Sequence, residues 1–112
     1  MVKHEAEVVE YSGSDKEYEI PSHAYISPSD NDVYRIVAIG GNAFYENKHL
    51  VSVTIPGTVK TIGFQAFSCC RNLSNVVLCE GLETIGAWAF LGCERLCEIK
   101  IPKSVKHKFP EQ

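Results

Sequence analysis

The sequence predicts an α+β repeat solenoid assembled from 23-residue strand-turn-short-helix units behind an N-terminal β-hairpin cap. Three observations carry this. Ile39-Gly-Gly-Asn-Ala-Phe44 recurs as Ile62-Gly-Phe-Gln-Ala-Phe67 and again as Ile85-Gly-Ala-Trp-Ala-Phe90, with no insertion between copies. The other apolar positions keep the same register: Leu50/Leu73/Leu96, Val53/Val76/Ile99, Ile55/Leu78/Ile101 and Val59/Leu82/Val105. A unit of this size cannot bury its own apolar face, whereas stacked units bury a continuous one.

Each element of the unit has a local reason. Leu73-x-x-Val76-x-Leu78 spaces apolar residues as a short strand does when alternate side chains turn inward. Pro56 and Pro102 suit a strand end, because proline cannot donate to a ladder; Cys79 stands in that column in the middle copy. Gly63 permits a tight turn, and Ala66-Phe67 suits one or two helical turns, with the Phe filling the interior. Stacking at about 4.8 Å turns each column into a ladder, Phe44/Phe67/Phe90 among them.

Residues 1–32 do not fit the repeat. Ala6–Tyr11 and Glu17–Ile20 flank the turn cluster Ser12-Gly13-Ser14-Asp15 and read as a β-hairpin, an acidic cap for the first coil. Tyr25-Ile26 and Val33–Ile36 flank a second hairpin or extended turn. The repeats occupy residues 33–107. Residues 108–112 are a tail, because a fourth copy starts at Lys103 and fails where Lys108 takes the Ile position and Phe109 the Gly position. Phe109 and Pro110 are what the tail offers as a lid.

Ile-Gly-x-x-Ala-Phe-x-x-Cys-x-x-Leu-x-x-Val-x-Ile-Pro at this period resembles the BspA-type leucine-rich repeat. Ile62, Gly63, Ala66, Phe67, Cys70, Leu73, Val76 and Leu78 each fall on a consensus position. Asn47 in the Cys column and Cys79 in the Pro column are departures that leave the fold intact. The resemblance implies a leucine-rich-repeat fold and a non-catalytic protein-binding module. It further implies a role in adhesion or in contact with host or matrix proteins, and a cell-surface or secreted location. A structural or self-associating segment of a longer array is the second reading.

Composition narrows the chemistry. Hydrophobic residues at 45% and charged residues at 22% are ordinary for a globular domain. The net charge of −3 argues against nucleic acid as a partner, since phosphate affinity rests on clustered Lys and Arg. The charge is uneven: residues 1–32 are acidic, and Lys100, Lys103, Lys106 and Lys108 form a small basic cluster. No apolar run approaches the roughly 18 residues of a membrane span, so no membrane insertion is expected, and the opening Met-Val-Lys-His-Glu-Ala-Glu lacks an apolar signal core.

The five cysteines, Cys69, Cys70, Cys79, Cys93 and Cys97, form no Cys-x-x-Cys pair and read as free thiols. Cys70 and Cys93 share a column and are expected to pack as buried small hydrophobes, within disulfide reach of each other. His4, His23, His49 and His107 lack metal-ligand spacing, so neither a metal nor a cofactor is expected. There is no Gly-x-Ser-x-Gly nucleophile motif, and Ile-Gly-Gly-Asn is a turn and not a phosphate loop.

The outward residues of the Leu-x-x-Val-x-Ile strands, Ser52, Thr54, Asn75, Val77, Glu98 and Lys100, form the candidate concave face for a protein ligand. Phe64 and Trp88 stand at variable outward positions and are candidate contact aromatics. At the far end, Ile85, Phe90, Leu96, Ile99, Ile101 and Val105 are expected to lie bare unless something covers them. Three arrangements would answer that: a homodimer through the C-terminal repeat, two-fold in preference to head-to-tail, or a monomer whose tail folds back over the end.

Overall fold

The computed structural model describes residues 4–25 and 32–108. Within them the chain coils between two sheets. The first sheet runs β1 (Glu5–Val8), β4 (Val33–Ile39), β6 (Thr61–Ile62), β8 (Thr84–Ile85) and β9 (His107–Lys108), all parallel, with β3 (His23–Tyr25) antiparallel on β4. The second runs β2 (Glu17–Glu19), β5 (Ser52–Ile55) and β7 (Asn75–Leu78), also parallel. The pairings Ile39↔Ile62, Ile62↔Ile85 and Val53↔Val76 reproduce the sequence columns.

The core lies between the sheets. Ile39, Phe44, Leu50, Val53, Ile55, Val59, Ile62, Phe67, Leu73, Leu82 and Ile85 are each no more than 1% exposed. The Phe column stacks face to face, with ring centroids 4.6 Å apart for Phe44–Phe67 and 5.4 Å for Phe67–Phe90. The glycine column makes the close approach possible. A Cβ on Gly63 would stand 2.6 Å from the amide nitrogen of Gly41, and one on Gly86 would stand 2.8 Å from the carbonyl carbon of Gly63.

The short helix is absent: among the described residues there is no helix, and Gly40–Asn47 and its two repeats are chains of tight turns. The reason is where the amides go. The N–H groups of Ala43, Tyr45 and Asn47 bond back three residues to Gly40, Asn42 and Phe44. The intervening N–H groups of Asn42, Phe44 and Glu46 donate instead to the carbonyls of Phe64, Ala66 and Ser68 on the next coil, at 3.0, 2.7 and 2.9 Å. Gln65, Phe67 and Cys69 do the same to Ala87, Ala89 and Leu91. A helix would spend every amide on itself and leave the coils unbonded here. The alternation demands a left-handed residue in every fourth position: Asn42, Gln65 and Trp88 have φ of 62°, 55° and 60°, and Glu46, Cys69 and Gly92 have 60°, 63° and 80°.

The N-terminal cap is also not the expected hairpin. β1 and β2 do not pair with each other; β1 pairs in parallel with β4 and β2 in parallel with β5. Residues 5–20 therefore add a divergent coil to the solenoid. Tyr18-Glu-Ile20-Pro21 repeats the Val53-Thr-Ile55-Pro56 pattern, with Tyr18 opposite Val53 and Ile20 1% exposed. Tyr11 stacks on Phe44 at 5.0 Å and on Tyr18 at 4.5 Å, closing the aromatic column. A free-standing hairpin would leave Phe44 facing water, and burial of an aromatic side chain is worth ~1.5–3 kcal/mol. Of the second expected hairpin, the β3–β4 pair is present and its connection at 26–31 lies outside the described residues.

The far end keeps more order in one sheet than in the other. His107 and Lys108 still pair with Thr84 and Ile85, although Lys108 carries no apolar side chain for that column. Backbone pairing needs only the amides and carbonyls, so the first strand of the failed copy survives. Ile85 and Phe90 are buried, against expectation, whereas Leu96, Ile99 and Val105 are half-buried and Ile101 is exposed. Phe109 and Pro110 lie outside the described residues.

A candidate protein-binding face

On β5 and β7 the inward Val53, Ile55 and Val76 fix which side chains must point out. Ser52 pairs with Asn75 and Thr54 with Val77 across the ladder. Asn75 Nδ2 donates to Ser52 Oγ at 3.0 Å, so the polar row is tied along the sheet. Asn75 and Val77 are exposed; Ser52 and Thr54 are half-buried. These four predicted residues form one surface.

Glu98 and Lys100 are exposed and follow the same columns in sequence, but residues 97–101 form no ladder with β7. A groove of about 370 Å³ separates the two segments, lined by Asn75, Val76, Val77, Leu78, Glu98 and Lys100. The third strand of the predicted face is thus set apart as the far wall of a groove. Its inward Ile99 is only half-buried, so less apolar burial holds it against the sheet than holds β7.

Two members of the face were missed by the sequence reading. β2 lies beside β5 with Glu17 opposite Ser52 and Glu19 opposite Thr54. The rows are therefore Glu17/Ser52/Asn75 and Glu19/Thr54/Val77, continued by Glu98 and Lys100 across the groove. The Tyr18-x-Ile20-Pro21 signature was the available signal; taking Ser12–Asp15 as a hairpin turn hid it.

Phe64 and Trp88 do pair with each other, their rings 5.4 Å apart at a 47° tilt, and are 48% and 39% exposed. They stand on the turns after β6 and β8, in the stretch that follows the first sheet, and not on β5 or β7.

The cysteine column does more than fill space. Cys70 Sγ donates to the carbonyl of Phe44, and Cys93 Sγ to that of Phe67, both at 3.1 Å. In the first repeat Asn47 plays the same part, with Nδ2 donating to the Gly13 carbonyl at 3.1 Å while Oδ1 accepts from the amides of His49 and Leu50. Each therefore ties its coil to the one before. All five cysteines are free. Burial pushes the Cys70 thiol up to about 12 and the Cys93 thiol up to about 11, so neither is an activated nucleophile. No group of three or more His, Cys, Asp or Glu is arranged to hold a metal among the described residues. No helix among them is long and apolar enough to cross a membrane.

The family model for the BspA type leucine rich repeat region matches residues 33–110 in six copies. No curated protein matches the chain. Similar solved structures include three bacterial leucine-rich repeat proteins. A leucine-rich cell surface protein from Faecalibacterium prausnitzii shares 31% identity with a TM-score of 0.83, over 94% of this chain and 28% of that one. The Treponema pallidum leucine rich repeat protein shares 30% at a TM-score of 0.79, over 91% and 45%. A leucine-rich repeat protein from Bacteroides capillosus shares 34% at 0.85, over 95% and 78%. The chain thus spans less than half the length of the first two. The stacked Ile-Gly-x-x-Ala-Phe turns, the parallel ladders and these matches agree: the chain belongs to the BspA-type leucine-rich repeat family.

Proposed function

We propose that this chain is a non-catalytic protein-binding module whose contact face is the outer surface of β2, β5 and β7 together with Glu98 and Lys100. The observation that carries the reading is the pair of outward rows, in which Glu17, Ser52, Asn75 and Glu98 run beside Glu19, Thr54, Val77 and Lys100. These rows mix both charge signs with amide and hydroxyl groups on a backbone held in register by parallel pairing. The exposed Val77 supplies an apolar centre. Leucine-rich repeat proteins of this family are generally protein-binding and generally non-catalytic. Adhesion to host or matrix proteins, with display at the cell surface, is the setting we propose, supported by the F. prausnitzii relative being a cell surface protein.

The size of the face sets the strength. Three short strands at about 4.8 Å, with the segment across the groove, present only about 200 Å², against about 800 Å² per side for a standard complex. A single copy is therefore expected to bind in the micromolar range or weaker. The test is capture of ligands from matrix and host-cell extracts, followed by titration of the captured protein. Asn75→Ala/Glu98→Ala/Lys100→Ala is expected to weaken binding about tenfold or more. The three side chains face water, so the fold is left intact. Unchanged binding by the triple variant would move the site off this face.

A further inference from the structure

Among the described residues, the solenoid beyond β8 is a step. The first sheet continues to β9, whereas the second stops at β7 because residues 97–101 have come away from it. The raised half is a basic shelf: Lys106, His107 and Lys108 are all exposed. It is anchored from below, since the amides of Lys106 and His107 donate to the Glu83 carbonyl at 2.8 and 3.1 Å. The Glu80 carboxylate accepts from the amides of Lys103 and Ser104. The lowered half is a groove of about 370 Å³ with an apolar floor of Phe90, Cys93, Leu96 and Ile99 and an acidic rim of Glu94 and Glu98. Trp88, Phe90 and Gly92 occupy the columns whose amides donate to the next coil elsewhere, and among the described residues their N–H groups meet no acceptor.

We propose that this step is a self-complementary interface at which two copies of the chain form a closed two-fold dimer. A two-fold axis across the end of the solenoid exchanges its two halves, so the basic shelf of each copy descends onto the acidic, apolar groove of the other. Charge decides between the geometries. Basic tails would repel if shelf met shelf, but the exchange sets Lys106 and Lys108 against the rim carrying Glu94 and Glu98, none of which has an ion partner among the described residues. Shelf carbonyls also become available to the idle amides at the groove. The opposite end of the solenoid is a poor match for the step. There both sheets end on the same coil, β1 and β2, and Tyr11 and Tyr18 already cap the aromatic column. This interface shares Glu98 with the binding face, and its own test is the Lys106→Glu/Lys108→Glu pair, which leaves that face untouched.

Sedimentation over a range of concentrations at low salt is the test, with two charge-reversed variants at exposed positions that the fold does not use. The parent is expected to approach twice the 12.5 kDa of one chain and to go no further. Glu94→Lys/Glu98→Lys alone and Lys106→Glu/Lys108→Glu alone are each expected to raise the dissociation constant about tenfold or more, through several weak pairs turned repulsive. An equimolar mixture of the two is expected to regain a dimer, since each shelf again meets a groove of opposite charge. Alkylation of the exposed Cys97, which lines the groove, should slow as the parent dimerises. A parent that stays monomeric into the high micromolar range overturns the proposal. So does growth beyond the dimer, or stronger association of Glu94→Lys/Glu98→Lys, which would mean that the acidic first coil is the partner surface.

Discussion

Replacing Phe67 by alanine is expected to abolish cooperative folding at 37 °C. The ring is fully buried and is the middle member of a three-ring stack, 4.6 Å from Phe44 and 5.4 Å from Phe90. Its removal leaves a cavity walled above and below by two other rings. Neither can move inward without dragging the turn that carries it, and each turn is bonded to its neighbour through alternate amides. Poor relaxation puts the cost in the upper part of the range for such truncations, about 3–5 kcal/mol. A domain of this size has about 5–15 kcal/mol in total, and in a solenoid a failed middle coil separates the coils on either side of it. Thermal unfolding followed by circular dichroism is expected to show a midpoint at least about 15 °C lower, or no transition at all. A midpoint within a few degrees of the parent would contradict the stacked-ladder core.

Gly63→Ala comes next in expected effect, for a different reason. The atoms that an added methyl would meet belong to the backbone: the Gly41 nitrogen at 2.6 Å, the Gly40 carbonyl carbon at 2.9 Å and the Gly41 Cα at 3.0 Å. No rotamer change relieves such a clash. The coil must shift, and the hydrogen bond from the Gly63 amide to the Ile39 carbonyl, 2.8 Å long, stretches with it. The expected loss is about 3 kcal/mol, at the upper end for overpacking. Gly41→Ala is the control, because its methyl would meet only the Phe64 carbonyl oxygen closely, at 3.2 Å; its expected cost is below about 1 kcal/mol. Denaturant midpoints of the two variants check this, and equal losses would show that coil spacing is not set at the glycine column.

The two substitutions also mark how much of the fold could be read from the residues. Columns were legible because side-chain burial recurs at fixed spacing: Ile39/Ile62/Ile85 and Phe44/Phe67/Phe90 appear in the sequence as they appear in space. Turn geometry was not. Ala66-Phe67 has good helical composition, and nothing in its side chains announces that every second amide goes to another coil. The left-handed positions carry Asn42, Glu46, Gln65, Cys69, Trp88 and Gly92; Asn and Gly favour that region, but the other four give no such signal. The N-terminal coil was misread for a related reason. Ser12-Gly13-Ser14-Asp15 is good turn chemistry, but local turn chemistry does not say whether the flanking strands pair with each other or each with a later coil.

Of the candidate face, Ser52, Thr54, Asn75 and Val77 were legible from alternation, and the structure brings them together. Glu17 and Glu19 were not, since their place depends on that parallel pairing. Glu98 and Lys100 have the right spacing, but the strand expected to carry them is held by the half-buried Leu96 and Ile99. Spacing alone cannot register how firmly the last coil of a stack is held.

The place of Glu17 and Glu19 on the face depends on the N-terminal coil, residues 5–20, running in the same sense as the others, and nuclear Overhauser contacts between backbone protons report that directly. Parallel coiling places Tyr18 beside Val53, Glu19 beside Thr54 and Val8 beside Ile39. Cross-strand backbone contacts are therefore expected for these three pairs, with none between the backbones of 6–11 and 17–20, which meet only through the Tyr11–Tyr18 ring stack. Backbone contacts between Ala6–Tyr11 and Glu17–Ile20, with the three pairs silent, would restore the hairpin, remove Glu17 and Glu19 from the binding face and contradict the arrangement described.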